Sequence, residues 1–125
     1  MRLLLDTQVY LWVLLGSPKL PAKTRELIKN ASEVYVSAAS IWEASIKIGV
    51  GKLDVRKEIL VEGIARSGFS ALPVQAAHAA LVSTLPNHHR DPFDRLLVCQ
   101  AVSETLRLLT ADASLSRYSE LVVQV

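Results

Sequence analysis

Residues 2–18 read RLLLDTQVYLWVLLGSP, and this stretch decides the fold. An apolar run opening a chain invites comparison with a signal peptide, but Asp6 and Gln8 interrupt it where a signal needs continuous apolar character. The better division is a short strand, Arg2–Leu5, apolar as a central parallel strand should be, then a helix over Thr7–Leu15 that stops before Ser17-Pro18. The same alternation continues outward. Pro21 opens a helix through Asn30, and Val34–Val36 is a second strand. Ser37 and Ser40 both suit the start of a helix that runs to about Ile48 and ends at Gly49 and Gly51. Arg56–Arg66 is helical and closed by Gly68, and Phe69–Val74 is a short strand that Pro73 sends to an edge. Gln75–Leu85 is helical, PNHHRDP is a polar loop over 86–92, and Phe93–Glu104 is a long apolar helix. Leu106–Thr110 and Leu121–Val125 complete the set of strands. Strands alternating with helices predict a parallel α/β sheet in one domain spanning residues 1–125.

Half of the 125 residues are hydrophobic, enough for a sizeable core, and no apolar run is long enough to span a bilayer. The single cysteine, Cys99, excludes an internal disulfide and suits a reducing, cytoplasmic setting. Within LLVCQAV it reads as a buried core thiol rather than a nucleophile. A net charge of +2 permits nucleic-acid binding without demanding it.

The chemistry lies in where acids fall. Asp6 directly follows the first strand, Glu43 sits inside the helix after VYV, and Asp112 lies just beyond LRLLT. All three belong to the carboxyl edge of the sheet, where open α/β sheets bind ligands. Asp94, at the start of the apolar helix, can join them. Each has a structural alternative. Asp6 and Asp112 can cap the helices that follow them. Glu43 can complete a capping box with Ser40 or pair with Lys47 one turn on. Asp94 and Asp91 can favour the positive end of their helix. Together they ask for a further reason, because two carboxylates ~4 Å apart repel by ~4 kcal/mol at an effective dielectric of about 20. A hard divalent cation removes that repulsion, and oxygen ligands select Mg²⁺ or Mn²⁺ over zinc. The histidines offer no zinc set: His78 is expected on a helix surface, and His88 and His89 share a loop without further ligands at zinc spacing.

Four ordered blocks, LLLDTQV, SAASIWEASIKIGVGKL, HHRDPFDRLLVCQA and LLTADASLSRY, resemble the PIN-domain family, and most closely its VapC-like toxins. The resemblance covers the whole chain. It implies a three-layer α/β/α sandwich whose parallel sheet is ordered 3-2-1-4-5, which sets strands one and four side by side. It also implies an acidic site of Asp6, Glu43, Asp94 and Asp112 that holds Mg²⁺ or Mn²⁺. Asp91 belongs to the DPFD variant of the motif and is expected to assist, as are Thr7 and Thr110 beside the acids. Ala111 stands where many relatives carry Arg, which removes one basic contact to substrate. The activity implied is hydrolysis of RNA to leave a 5′-phosphate without a covalent intermediate. The partners implied are an antitoxin protein and a second copy of the chain.

Lys47, His89, Arg90 and Arg95 share segments with the acids and are the candidate contacts to the RNA backbone. Trp12, Leu15 and Trp42 are apolar helix residues suited to a core or a protein partner. A haloacid-dehalogenase phosphatase would need an acid where Gln8 stands, and a receiver domain would need one after Phe69–Val74, where there is none. The remaining rival is a PIN-like module that binds RNA or a partner without cutting.

Overall fold

Leu3, Leu4 and Leu5 are fully buried in the middle strand of a five-stranded, all-parallel sheet of order β3-β2-β1-β4-β5. The structure, a computed structural model, describes residues 1–88 and 90–125, so the expectation placed on His89 lies outside the described residues. The strands are β1 (Arg2–Leu5), β2 (Glu33–Ser37), β3 (Ser70–Leu72), β4 (Arg107–Thr110) and β5 (Val122–Gln124). The helices are α1 (Thr7–Leu14), α2 (Ala22–Asn30), α3 (Ala38–Gly49), α4 (Lys57–Arg66), α5 (Ala76–Leu81) and α6 (Pro92–Glu104), with 3₁₀ turns at Val82–Thr84 and Ala113–Arg117.

Successive strand residues face opposite sides, and the core divides accordingly. Leu3, Leu5, Val34, Val36 and Leu109 pack with Val9 and Tyr10 of α1 and Ile64 of α4, with Leu27 and Ile28 of α2 against them. Leu4, Leu72, Leu108 and Val122 pack on the other face with Leu97, Val98 and Ala101 of α6 and with Leu115. Helices therefore cover both faces, giving the α/β/α sandwich and the strand order that the resemblance implied. A third cluster, Leu11, Ala44 and Leu60, joins α1, α3 and α4. Helix α4 comes so close to α1 that a side chain at Gly63 would run into Leu14 and the Tyr10 hydroxyl, which itself donates to Leu60 O at 2.7 Å.

Several boundaries moved for identifiable reasons. β3 pairs with β2 only as far as Leu72, opposite Ser37, where β2 gives way to α3; Pro73, with no N–H, could not continue the ladder. The expected helix Gln75–Leu85 is α5 followed by a 3₁₀ turn. His78 is not on the helix surface: it is 1% exposed, and its Nδ1 accepts the Gln75 N–H at 3.0 Å. Cys99 is buried, and burial pushes its thiol pKa up, away from nucleophilic chemistry. Among the described residues no helix is long and apolar enough to cross a membrane.

Candidate functional site

The order 3-2-1-4-5 means that the chain leaves β1 toward β2 on one side and reaches β4 on the other. The crevice between the carboxyl ends of β1 and β4 is therefore a topological switch point. The ladder continues one step past β1, where Asp6 N–H donates to Leu109 O at 3.0 Å. That bond carries the Asp6 side chain to the rim of the sheet. A cavity of about 410 Å³ opens there, lined by Asp6, Thr7, Gln8, Glu43, Lys47, Asp94, Ala111, Asp112 and Ala113. The four acids singled out in the sequence thus reach one cavity from four separate segments.

Each acid is positioned by local structure as well. Asp6 is the N-cap of α1, with Oδ1 accepting from Val9 N–H at 2.7 Å, while Oδ2 accepts from Thr110 Oγ1 at 2.6 Å. Asp112 caps the turn Ala113–Arg117, and its Oδ1 takes both the N–H (2.9 Å) and the hydroxyl (2.7 Å) of Ser114. Asp94 lies in the first turn of α6, whose N-cap is Asp91, accepting from Phe93 N–H at 2.8 Å and Asp94 N–H at 3.2 Å. The capping alternatives for Asp6 and Asp112 therefore coexist with their placement, beside Asp94, at the cavity, and Asp91, expected only to favour the positive end of its helix, is itself the N-cap. For Glu43 the capping box with Ser40 does not form, because Ser37 caps α3 through Ala39 N–H. Glu43 Oε1 instead accepts from Thr7 Oγ1 at 2.7 Å, and Oε2 lies 3.2 Å from Lys47 Nζ.

Burial dominates the electrostatics of Asp6. Desolvation raises its carboxyl pKa above the ordinary carboxylate value, the nearby charge of Glu43 adds to the rise, and bonds from Thr110, Val9 and Ala111 oppose it. Thr110 does two jobs, since its Oγ1 also accepts from Asp112 N–H at 3.0 Å. One hydroxyl thus ties the segment after β4 to the residue after β1.

The basic candidates separate. Lys47 lines the cavity. Arg90 is exposed. The Arg95 guanidinium donates to Pro86 O (3.1 Å), Val82 O (3.2 Å) and Tyr118 Oη (3.2 Å), which fastens the loop before α6. Ser114, which donates to Asp112, and Gln8, which lines the cavity, were not assigned to the site from the sequence. An Asp-x-Ser step at a helix start is the signal that would have found Ser114.

The PIN-domain family model matches residues 3–121. The chain belongs to the PIN-domain family. Curated protein sequences yield no match to this PIN domain. Solved structures with the same fold include VapBC2 from Rickettsia felis bound to a promoter DNA fragment. It is 16% identical with a TM-score of 0.71, over 99% of this chain and 98% of that one. A toxin–antitoxin complex from Klebsiella pneumoniae is 14% identical with a TM-score of 0.69, over 98% and 96%. FitAcB from Neisseria gonorrhoeae is 20% identical with a TM-score of 0.67, over 100% and 97%. At these identities the likeness is one of fold.

Members of this family are generally nucleases that use divalent ions, so the cavity must be tested for such an ion. The acids supply oxygen donors, as a hard cation requires, and they line one space. They do not form a finished cage: among the described residues no three His, Cys, Asp or Glu side chains form a group that could hold a metal ion. The donor set fits in chemistry and in the cavity it shares, without being gathered into a preformed group of three among the described residues.

Proposed function

We propose that this PIN domain is a Mg²⁺- or Mn²⁺-dependent endoribonuclease and the cytoplasmic toxin of a toxin–antitoxin pair. The observation that carries the reading is the meeting of Asp6, Glu43, Asp94 and Asp112 at one cavity on the switch point of the sheet. Asp6 is the central ligand, with Glu43, Asp94 and Asp112 completing the shells. A bound divalent ion would supply charge neutralisation on the phosphodiester and a lowered pKa for the attacking water. Thr7 steadies Glu43, Thr110 steadies Asp6, and Asp91 fixes the start of the helix that carries Asp94. Lys47, which lines the cavity, and the exposed Arg90 are the proposed contacts to the RNA backbone, held without reading its sequence; His89 and Arg95 are the further candidates for that role.

The toxin reading is supported by the kinship of fold with VapBC2 and FitAcB and by exposed apolar side chains suited to partners. Leu15 and Trp42 are 54% and 62% exposed. An antitoxin segment and a second copy of the chain are the proposed occupants. One observation favours the second reading, a module that binds without cutting: the absence, among the described residues, of a ready three-ligand group. Incubating RNA with the protein, with Mn²⁺ and then with chelator, decides between them. Cleavage that needs the ion supports the nuclease; binding without cleavage in both conditions supports the module. Light scattering, and co-purification with the product of an adjacent short reading frame, test the partners.

A further inference from the structure

Glu43 has both carboxylate oxygens engaged, Oε1 by Thr7 and Oε2 by Lys47. Lys47 is the one basic side chain among the described residues lining the acid cavity. It stands one helical turn beyond Glu43, the i, i+4 spacing at which α3 sets two side chains side by side. The Glu43 side chain is 14% exposed and that of Lys47 is 40%, so the ammonium reaches the carboxylate from the solvent side. Four carboxylates line this cavity, and like charges brought close together repel, so without a divalent ion it needs some positive charge. We infer that Lys47 is the resident cation of the cavity: it holds Glu43 in the metal-free protein and competes with the incoming divalent ion for Glu43 Oε2. It thereby sets the ion concentration at which the site assembles.

The inference rests on the metal site proposed above and deepens it. It accounts for a carboxylate that lines the cavity while standing outside any ready ligand group. Entry of the ion exchanges one cation for another on Glu43, and the like charge of the ion drives the ammonium off. Nζ is then released at the solvent side of the cavity, where a phosphate oxygen of RNA can replace the carboxylate as its partner.

The test is calorimetric titration of the intact protein with Mn²⁺ alone, in the wild type, Lys47→Met and Lys47→Arg, with circular dichroism confirming the fold of each. Methionine keeps the unbranched stem and removes the charge. The expected result is Mn²⁺ binding about two- to fivefold tighter in Lys47→Met, the fold-change equivalent of a partly exposed ion pair. Lys47→Arg should stay close to the wild type. Binding in the wild type that is unchanged or weaker in Lys47→Met overturns the role of Lys47 and leaves the metal site standing. If neither the wild type nor Lys47→Met takes up Mn²⁺, the metal site itself falls and Lys47 with it. Uptake seen only in Lys47→Met is the strongest form of support.

Discussion

Thr110 Oγ1 donates to Asp6 Oδ2 at 2.6 Å across 104 residues of chain, and the same oxygen accepts the N–H of Asp112 at 3.0 Å. A β-branched residue at the end of β4 is favourable for the strand. Its hydroxyl adds what valine lacks, a link between two of the four acids. Thr110→Val keeps the shape and leaves a fully buried site short of one donor and one acceptor. We expect a stability loss of about 1–3 kcal/mol, a larger proportional loss of RNA cleavage, and recovery of both in Thr110→Ser. Denaturant melts and a cleavage assay measure the two effects. An active, fully stable Thr110→Val would mean that the hydroxyl positions nothing.

Arg95 and Arg90 looked equivalent in the sequence, and the structure separates them. Arg95 fastens two carbonyls and the Tyr118 hydroxyl, whereas Arg90 is exposed. Arg95→Ala is expected to lower stability by about 1–3 kcal/mol, and Arg95→Lys to restore little, because an ammonium cannot reproduce the fork. Arg90→Ala should leave the melt unchanged, weaken RNA binding and shallow its salt dependence. Thermal melts beside binding isotherms at two salt concentrations distinguish the pair. Equal melting losses in both alanine variants would contradict this division.

The contrast between those arginines marks the limit of what the sequence carries. Leu3–Leu5 announce a buried strand because three consecutive apolar residues bounded by Arg2 and Asp6 leave little else. The acids were legible because Asp6 and Asp112 follow strands, Asp94 opens a helix and Glu43 lies within the helix that follows β2, and topology then fixes which edge they share. The partner of a long side chain is not so encoded: the reach of Arg95 depends on where the loop before α6 lies. His78 was misplaced for a related reason. Its helix, AAHAAL, offers no polar face to set against an apolar one, so periodicity gives no direction for the imidazole. Ser37 and Ser40 were indistinguishable as caps, and a backbone direction known only in the fold chose Ser37.

Tyr10 supports the face of the sheet behind the site. Its hydroxyl donates to Leu60 O, and burial pushes its phenol pKa up to about 12. The folded state therefore holds this proton in a range where the unfolded chain, ionising near 10, has lost it. Stability from this group is present below about pH 10 and declines as pH rises toward 12, by on the order of 2–3 kcal/mol. Tyr10→Phe removes that component and the hydrogen bond, costing about 0.5–1.5 kcal/mol at neutral pH. Melting the wild type and variant between pH 8 and pH 11 should show a gap that narrows with pH. A constant gap would mean that Tyr10 does not carry the alkaline limb.

Asp6 offers a test of the cluster that needs no RNA. Its carboxyl is buried and its pKa is raised, so around that pKa the folded state binds more protons than the unfolded state. The sign follows: metal-free stability rises as pH falls through the raised folded pKa toward the ordinary carboxylate range, and the contribution is lost as pH climbs back through it. At neutral pH burial of the Asp6 carboxyl is therefore a cost to the metal-free fold, one that a divalent ion offsets. Asp6→Asn keeps the side-chain volume and an N-cap of similar strength while removing the charge, and it puts an amide donor where Oδ2 accepts from the Thr110 hydroxyl, which can turn to accept in its place. The metal-free variant should melt above the wild type at neutral pH, and the two should converge in mild acid. Mn²⁺ at about 100 times its Kd should stabilise the wild type by ~2.7 kcal/mol and the variant by much less. RNA cleavage should be lost in the variant while its circular dichroism is unchanged. The melts are run with chelator and with Mn²⁺ at neutral and mildly acidic pH. If both proteins melt alike in all four conditions, Asp6 neither bears the strain of a shared acidic cavity nor holds an ion, and the assignment of the metal site to these four carboxylates fails.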